Sequence, residues 1–297
     1  MRPVANDSLF NQEFLAKLDY LYLISKKLLS GQNKAERRSR KIGSGIEFAD
    51  YREYVPGDDL RHIDWNLYAR LGKLFLRLFE EEEDLYVYIL LDISPSMTLG
   101  SPSRLDYGRR VAAALAYITL NNLDRISMIT FGDKLEGRLP PCRGKNNIFK
   151  VLQFLDALEP MKGTHLEESL RTFVHQTKRR GVAVVISDFY DEKGYESALN
   201  FLRYHKFDIY ALQLFDQKEL QPDIRGDVEL VDHETGEVLT TTLSPALVRA
   251  YREAFEEFCE EIEQYCKRSE ITLFRTDIQV PFEDLILNIF RQGGFLG

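Results

Sequence analysis

The fold is decided by residues 85–100, LYVYILLDISPSMTLG, in which an unbroken apolar run leads into a short polar loop. An apolar run of this length, without polar alternation, is typical of a strand that is buried on both faces of a sheet. The loop carries Asp92, Ser94 and Ser96, and a helical pattern follows over 104–121. A buried strand, a polar loop and a helix in this order predict an α/β unit with a parallel sheet.

Strands and helices alternate along the rest of the chain. The predicted strands cover 73–79, 85–91, 125–132, 134–140, 182–187, 207–214 and 271–276. The predicted helices cover 8–30, 104–121, 146–158, 166–179, 194–204, 245–268 and 281–291. A hairpin is predicted over 227–243, with Thr235 and Gly236 in its turn. Strands joined by such helices need right-handed crossovers, so we predict a three-layer, mostly parallel α/β fold with helices on both faces.

The chain divides into three predicted segments, 1–42, 43–83 and 84–297. The first holds an amphipathic helix, with Ser8 as its N-cap, and a basic linker. The second is a helical and β-rich extension that we expect to pack on the third segment, the main domain. Its apolar surface exceeds that of a solvated linker, and we expect Trp65 to be buried. The apolar residues that we expect to pack on the main domain are Phe48, Tyr54, Trp65, Leu74, Leu76 and Leu78.

The composition is that of a globular protein and excludes several functional classes. Of the 297 residues, 44% are hydrophobic and 29% charged, and the formal charge of −8 argues against a nucleic-acid binder. The three cysteines form no CxxC pair. The apolar runs fall short of the ~20 residues that a membrane helix needs, and the N-terminus lacks a signal-peptide pattern. We therefore expect a cytoplasmic protein without membrane insertion.

Oxygen-bearing side chains follow the buried strands, where ligands of parallel α/β sheets collect. Asp92, Ser94 and Ser96 come after one strand, Asp188 comes after another, and Thr164 precedes a helix. Two carboxylates and three hydroxyls form an oxygen set that suits Mg²⁺ or Mn²⁺ rather than Zn²⁺. Because hydroxyls are weak donors, an open coordination position would attract the carboxylate of a partner. The pattern predicts a metal site that serves binding more than catalysis.

These motifs carry a resemblance to a known family. The Asp92-x-Ser94-x-Ser96 loop, with Gly163-Thr164 and Ile186-Ser187-Asp188, resembles the metal-ion-dependent adhesion site of von Willebrand factor A-type domains over residues 84–276. The upstream segment resembles the bacterial family called domain of unknown function 58, whose members carry such a domain. The residues that match are Gly43-x-Gly45-x-Glu47-Phe48, Tyr51-Arg52-x-Tyr54-x-x-Gly57-Asp58-Asp59, Ile63-Asp64-Trp65 and Ala69-Arg70.

The resemblance implies that Asp92, Ser94, Ser96, Thr164 and Asp188 hold a divalent cation. Members of the family are commonly encoded beside MoxR-type AAA+ ATPases. The resemblance therefore implies a non-catalytic adaptor or accessory protein, which engages such an ATPase through an acidic side chain at the metal face.

Two alternatives stay open. The first is a Mg²⁺-dependent phosphatase of the haloacid-dehalogenase type, with Asp92 as nucleophile and residues 187–191 imitating its distal metal loop. That chemistry needs a second carboxylate two residues after the nucleophile, where this chain has Ser94. The second is a structural cluster of turn residues without a ligand. His165, beside Thr164, departs from the family motif and is interpreted as a rim residue.

Overall fold

The structure, a computed structural model, describes residues 9–31, 42–43, 47–80, 85–161, 163–220, 226–231 and 237–292. The helices are α1 (Gln12–Gly31), α2 (Trp65–Leu71), α3 (Arg104–Asn121), α4 (Ile148–Asp156), α5 (Leu166–Gln176), α6 (Glu196–Tyr204), α7 (Pro245–Arg268) and α8 (Phe282–Arg291). The strands are β1 (Ile42–Gly43), β2 (Glu47–Glu53), β3 (Phe75–Glu80), β4 (Tyr86–Asp92), β5 (Arg125–Phe131), β6 (Leu135–Arg143), β7 (Val182–Ser187), β8 (Asp208–Phe215), β9 (Gly226–Val231), β10 (Val238–Leu243) and β11 (Thr272–Asp277). Within the described part of the chain, no helix combines the length and apolarity needed to cross a bilayer.

The main sheet has the strand order β11-β8-β7-β4-β5-β6. Strand β6 runs antiparallel to β5, and the other neighbouring pairs are parallel. From β4 the chain proceeds to β5 on one side and returns later to β7 on the other. At such a reversal of strand order, α/β sheets open a crevice at the carboxyl ends of the strands. The predicted mostly parallel α/β sheet is confirmed.

Strand β4 is buried on both faces because its side chains alternate between two apolar clusters. Val87, Ile89 and Leu91 belong to the cluster that includes residues of α1, α3, α4 and α8. Tyr88 and Leu90 belong to the cluster that includes residues of α5, α6 and α7. This alternation is the two-residue period of a strand. Helices therefore flank the sheet on both faces, as predicted.

Local capping explains where several helices begin. Ser103 caps α3, with its hydroxyl accepting a hydrogen bond from the backbone of Asp106 at 3.0 Å. Helix α1 begins later than predicted, because the side chain of Asn11 accepts from the backbone of Phe14 at 2.9 Å. The predicted cap Ser8 and the basic linker lie outside the described residues. The hairpin β9–β10 is confirmed, whereas its turn also lies outside them.

The extension contains a small antiparallel sheet with the order β1-β3-β2. Ile63 bridges to Leu76 of β3, and both side chains are buried. The carboxylate of Asp64 caps α2 by accepting from the backbone of Asn66 and Leu67 at 2.9 and 3.0 Å. The segment is therefore ordered by its own short-range contacts, whereas its packing on the main domain and the domain boundaries remain predictions.

The expectation that Trp65 is buried is wrong. Trp65 is the first residue of α2 and 61% exposed, and its ring meets the exposed Tyr68 edge-on at 6.2 Å between centroids. Helix α2 spans seven residues and buries none of them, so it offers no apolar face that could cover an indole. Leu76 is buried as expected, and the side chain of Phe48 lies outside the description. The partly buried members of the set are Tyr54, Leu74 and Leu78.

Leu76 and Trp65 form a matched pair for testing this arrangement. We expect Leu76→Ala to destabilise the extension by about 2–5 kcal/mol, because it leaves a cavity in the small core. Trp65→Ala should cost less than about 0.5 kcal/mol, as is usual for exposed positions. Thermal unfolding followed by circular dichroism measures both. Trp65 is the sole tryptophan, so native fluorescence typical of a buried indole would contradict the structure.

Candidate metal centre

Two carboxylates meet at the carboxyl edge of the main sheet, where the strand order reverses. Asp92 is the last residue of β4, and Asp188 directly follows β7. The two strands are parallel neighbours, with Leu91 opposite Ile186. Asp92 is 0% exposed and Asp188 is 1% exposed. The topology therefore brings together two of the predicted ligands, which are 96 residues apart in the numbering.

The carboxylate of Asp92 is fixed from both strand ends. Its Oδ1 accepts a hydrogen bond from the backbone N–H of Ser94 at 2.9 Å. Its Oδ2 accepts from the hydroxyl of Ser187 at 2.6 Å, and that hydroxyl accepts from the backbone of Phe189 at 2.8 Å. Ser187 was not among the predicted site residues. The available signal was a serine at the end of an otherwise apolar strand.

The remaining predicted hydroxyls of the loop lie beside these carboxylates. The Oγ atoms of Ser94 and Ser96 are 3.1 Å apart. On Asp188, Oδ1 accepts from the backbone N–H of Tyr190 at 3.1 Å, whereas Oδ2 is buried and has no hydrogen-bond partner. A buried carboxylate oxygen without a partner is costly, and it marks a place where a cation would be stabilised.

Thr164 lies in a loop that is anchored beside the Asp92 loop. The loop that carries it is joined to the Asp92 loop by a hydrogen bond from Met161 N to Ile93 O at 2.8 Å. A second bond, from His165 N to Gly132 O at 2.8 Å, fixes its other end. Thr164 is buried, and His165 is exposed, as its interpretation as a rim residue requires. The carboxylate of Asp92 bonds directly to the Ser94 backbone and the Ser187 side chain, and Thr164 lies in the neighbouring loop.

Burial raises the pKa of both carboxylates. Burial first, and then the negative charge of Asp188, raise the pKa of Asp92 to about 7. Burial also raises the pKa of Asp188, against the opposing effects of the Arg104 charge and the Ser96 hydroxyl. Two buried carboxylates of like charge favour neutralisation, either by a proton or by a cation. A divalent cation would remove this repulsion at neutral pH.

A buried arginine adjoins Asp188 and was missed in the sequence. Arg104 is the first residue of α3 and 3% exposed. Its Nη1 donates to the carbonyl of Ser96 at 2.9 Å and lies 3.9 Å from Oδ2 of Asp188. Its Nη2 pairs with Glu219, in the loop after β8. The sequence held one signal for Arg104. It is a cation in the first turn of a helix, where acidic side chains are favoured.

Asp191 has a structural role at the edge of the site. Its carboxylate accepts from the backbone N–H of Leu166, the first residue of α5, at 2.7 Å. Its other oxygen accepts from the backbone of Lys193 at 2.8 Å. Asp191 therefore satisfies an amide at the start of α5 and does not resemble a free metal ligand.

The donors fit a hard divalent cation that keeps part of its water shell. Among the residues that the structure describes, no group of three His, Cys, Asp or Glu side chains is placed to hold a metal. A cation at Asp92 and Asp188 would therefore depend on the hydroxyls of Ser94 and Ser96 and on water. Mg²⁺ commonly binds with one or two carboxylates and several waters. The unpaired Oδ2 of Asp188 fits such a ligand.

Comparison with known proteins identifies relatives for most of the chain. The family model described as "Protein of unknown function DUF58" matches residues 50–262. Uncharacterized proteins of Mycobacterium tuberculosis and Mycobacterium bovis are each 27% identical over 239 residues, which are 78% of this chain and 74% of theirs. The family description states no activity.

Two solved structures are similar over 70% of this chain. One is the conserved hypothetical protein BatB from Bacteroides thetaiotaomicron, with 19% identity, a TM-score of 0.47 and 96% of that chain covered. The other is an aerotolerance-related membrane protein from Bacteroides fragilis, with 22% identity, a TM-score of 0.45 and 100% of that chain covered.

Proposed function

Since this chain belongs to the DUF58 family, for which no function is stated, we propose from its site that it is a non-catalytic, divalent-metal-dependent protein-interaction module. The main domain is a von Willebrand factor A-like fold, and its carboxyl edge is a metal-ion-dependent adhesion site. The cation is Mg²⁺ or Mn²⁺, and the protein acts in the cytoplasm. The proposed ligands, direct or through water, are Asp92, Ser94, Ser96, Thr164 and Asp188.

The observation that carries the proposal is the Oδ2 atom of Asp188, which is buried without a hydrogen-bond partner beside a second buried carboxylate. A structural cluster of turn residues would use its oxygens to satisfy backbone amides, as Asp191 does at α5. The arrangement of Asp92 and Asp188 instead leaves two buried carboxylates whose negative charge Arg104 compensates only in part. A divalent cation supplies the compensation that the protein donors lack.

The ligand set favours binding of an outside carboxylate. Asp92 is held in one orientation by the Ser94 amide and the Ser187 hydroxyl, so it needs no reorganisation to receive a cation. When bound, the cation would supply an electrophilic position that a carboxylate from another molecule can fill. Hydroxyl donors such as those of Ser94 and Ser96 neutralise little of its charge, which strengthens this attraction.

The phosphatase alternative has less support from the same geometry. Asp92 is fully buried and both of its oxygens already accept hydrogen bonds, whereas a nucleophile needs access to the phosphorus atom. Ser94 stands where the leaving group would need an acid. Asp191 caps a helix instead of completing a distal metal loop. The geometry therefore supports a site that binds a cation more than a site that attacks a phosphate.

The proposed partner is a MoxR-type AAA+ ATPase. The family resemblance supports this choice, and so does the open coordination position, which can accept a carboxylate. An acidic side chain of the ATPase would complete the coordination. Tyr190, two residues after Asp188, is partly exposed and stacks on Phe258 at 5.1 Å between ring centroids. Such an aromatic rim provides apolar contact area around a charged anchor, as is common in protein interfaces.

A binding assay tests the proposal. The purified ATPase is titrated against wild-type protein and the Asp188→Asn variant at one fixed Mg²⁺ concentration. Site variants are preferable to chelation, because ATPases use Mg²⁺ together with ATP. Glu53→Gln, at an exposed pair with Lys73 in the small sheet, is the control for loss of one negative charge. Equal affinity of all three proteins would overturn the proposal.

A further inference from the structure

We propose that Arg104 and Glu219 set the cation affinity of the metal centre, although neither side chain is a ligand. Arg104 weakens cation binding by partly neutralising Asp188, and Glu219 strengthens it by holding the guanidinium group. This inference rests on the proposed function, because it concerns the affinity of that same site.

The contacts of Arg104 are divided between three groups. The guanidinium donates to the Ser96 carbonyl at 2.9 Å and pairs closely with Glu219. Its distance to Oδ2 of Asp188 is 3.9 Å, which is within ion-pair range but too long for a hydrogen bond. The guanidinium is thus committed to Ser96 and Glu219 and compensates the charge of Asp188 only in part.

Counting the charges gives the expected sign of each substitution. The three carboxylates of Asp92, Asp188 and Glu219 and the one guanidinium of Arg104 leave two negative charges in the ionised cluster. Removal of the Arg104 charge leaves three, and removal of the Glu219 charge leaves one. Loss of Glu219 also frees the guanidinium to approach Asp188. In surroundings of low dielectric, one charge at this range changes cation affinity by about tenfold or more.

A purely structural role does not account for Arg104. A cation in the first turn of a helix is unfavourable with respect to the helix dipole. The Nε atom of Arg104 is buried and has no hydrogen-bond partner. The side chain is therefore poorly suited to stabilising α3, whereas its charge lies where it acts on Asp188.

Calorimetric titration with Mg²⁺ alone measures the effect on the full chain. We expect Arg104→Gln to bind Mg²⁺ about tenfold or more tightly than wild type, and Glu219→Gln about tenfold or more weakly. The double variant should return to within about threefold of wild type, since its net charge equals that of wild type. Arg104→Lys should stay near wild type. Lys73→Gln removes an exposed cation that pairs with Glu53 in the extension and should leave the affinity unchanged.

Thermal unfolding in the presence of chelator gives a second readout. Arg104→Gln should unfold at a lower temperature than wild type without metal, because the buried Asp188 then lacks its neighbouring counter-charge. Its stabilisation by added Mg²⁺ should exceed that of wild type.

The outcomes separate the possible explanations. If Arg104 merely anchors the Ser96 carbonyl, Arg104→Gln and Arg104→Lys would both bind Mg²⁺ more weakly, and this would overturn the inference. Should Arg104→Gln fail to fold, an unchanged affinity in Glu219→Gln would also overturn it. Absence of Mg²⁺ binding in wild type would refute the proposed function instead. If wild type binds Mg²⁺ but the affinities of the variants do not follow the expected order, only this inference is refuted.

Discussion

Replacement of Asp188 by Asn is expected to weaken binding of the proposed ATPase partner by about 2–5 kcal/mol, which is roughly a 30- to 5000-fold loss of affinity. The partner carboxylate would enter a desolvated site whose cation is no longer held by two carboxylates. Much of the loss would come from leaving that carboxylate buried without a counter-charge. Asn has the size of Asp and keeps an acceptor for the Tyr190 amide, so the fold should persist.

Further variants show whether the partner binds at the metal site or at another surface. Asp92→Asn should lose the partner as Asp188→Asn does, whereas Glu53→Gln should stay within about twofold of wild type. An affinity unchanged in both aspartate variants would contradict the proposed interface. The exposed aromatic pair of Trp65 and Tyr68 would then be the next surface to test.

Asp92→Asn is expected to reduce Mg²⁺ affinity by about 100-fold or more and at the same time to stabilise the metal-free protein. The first effect follows from removal of a ligand charge. The second follows from removal of one of two buried like charges. Asn retains an acceptor for the Ser94 amide, and the Ser187 hydroxyl can accept from its amide group. This exchange leaves the Ser187 O–H without its Asp92 acceptor, so it offsets part of the gain in stability.

The gain in stability should depend on pH with a definite sign. The pKa of Asp92 is raised from 3.8 to about 7, so the folded state binds more protons than the unfolded state between these values. Protonation of Asp92 therefore stabilises the folded state of the metal-free wild type. This contribution is fully present below pH 3.8 and is lost as the pH rises through about 7. Thermal unfolding in chelator should show a higher unfolding temperature for Asp92→Asn at pH 8 and a smaller difference at pH 5. A variant less stable than wild type at both pH values would contradict this.

The predictable parts of the fold are those with strong local patterns. Helix α7 has the predicted bounds, because Ser244 and Pro245 start it and an amphipathic pattern continues to Arg268. Strand β4 follows from its apolar run, and the rule that ligands collect at strand ends located Asp92 and Asp188. Strand β2 was missed because a register shift between Phe48 and Asp50 interrupts its alternation.

The unpredicted parts of the site depend on contacts between distant positions. Arg104 and Glu219 are 115 residues apart, and Ser187 and Asp92 are 95 residues apart. Neither pair follows from periodicity or spacing, because the contact depends on how the loops after β4, β7 and β8 fold over the sheet edge. Trp65 was misjudged for a related reason, since aromatic composition does not reveal that α2 lacks a covering partner.

The most direct test of the central claim is an anomalous difference map from crystals of this protein grown with Mn²⁺. We expect a peak enclosed by the side chains of Asp92, Ser94, Ser96 and Asp188 in the wild type, and no such peak in Asp92→Asn. A wild-type map without density at this position, at a Mn²⁺ concentration that saturates binding in calorimetry, would show that the cation binds elsewhere and would contradict the account.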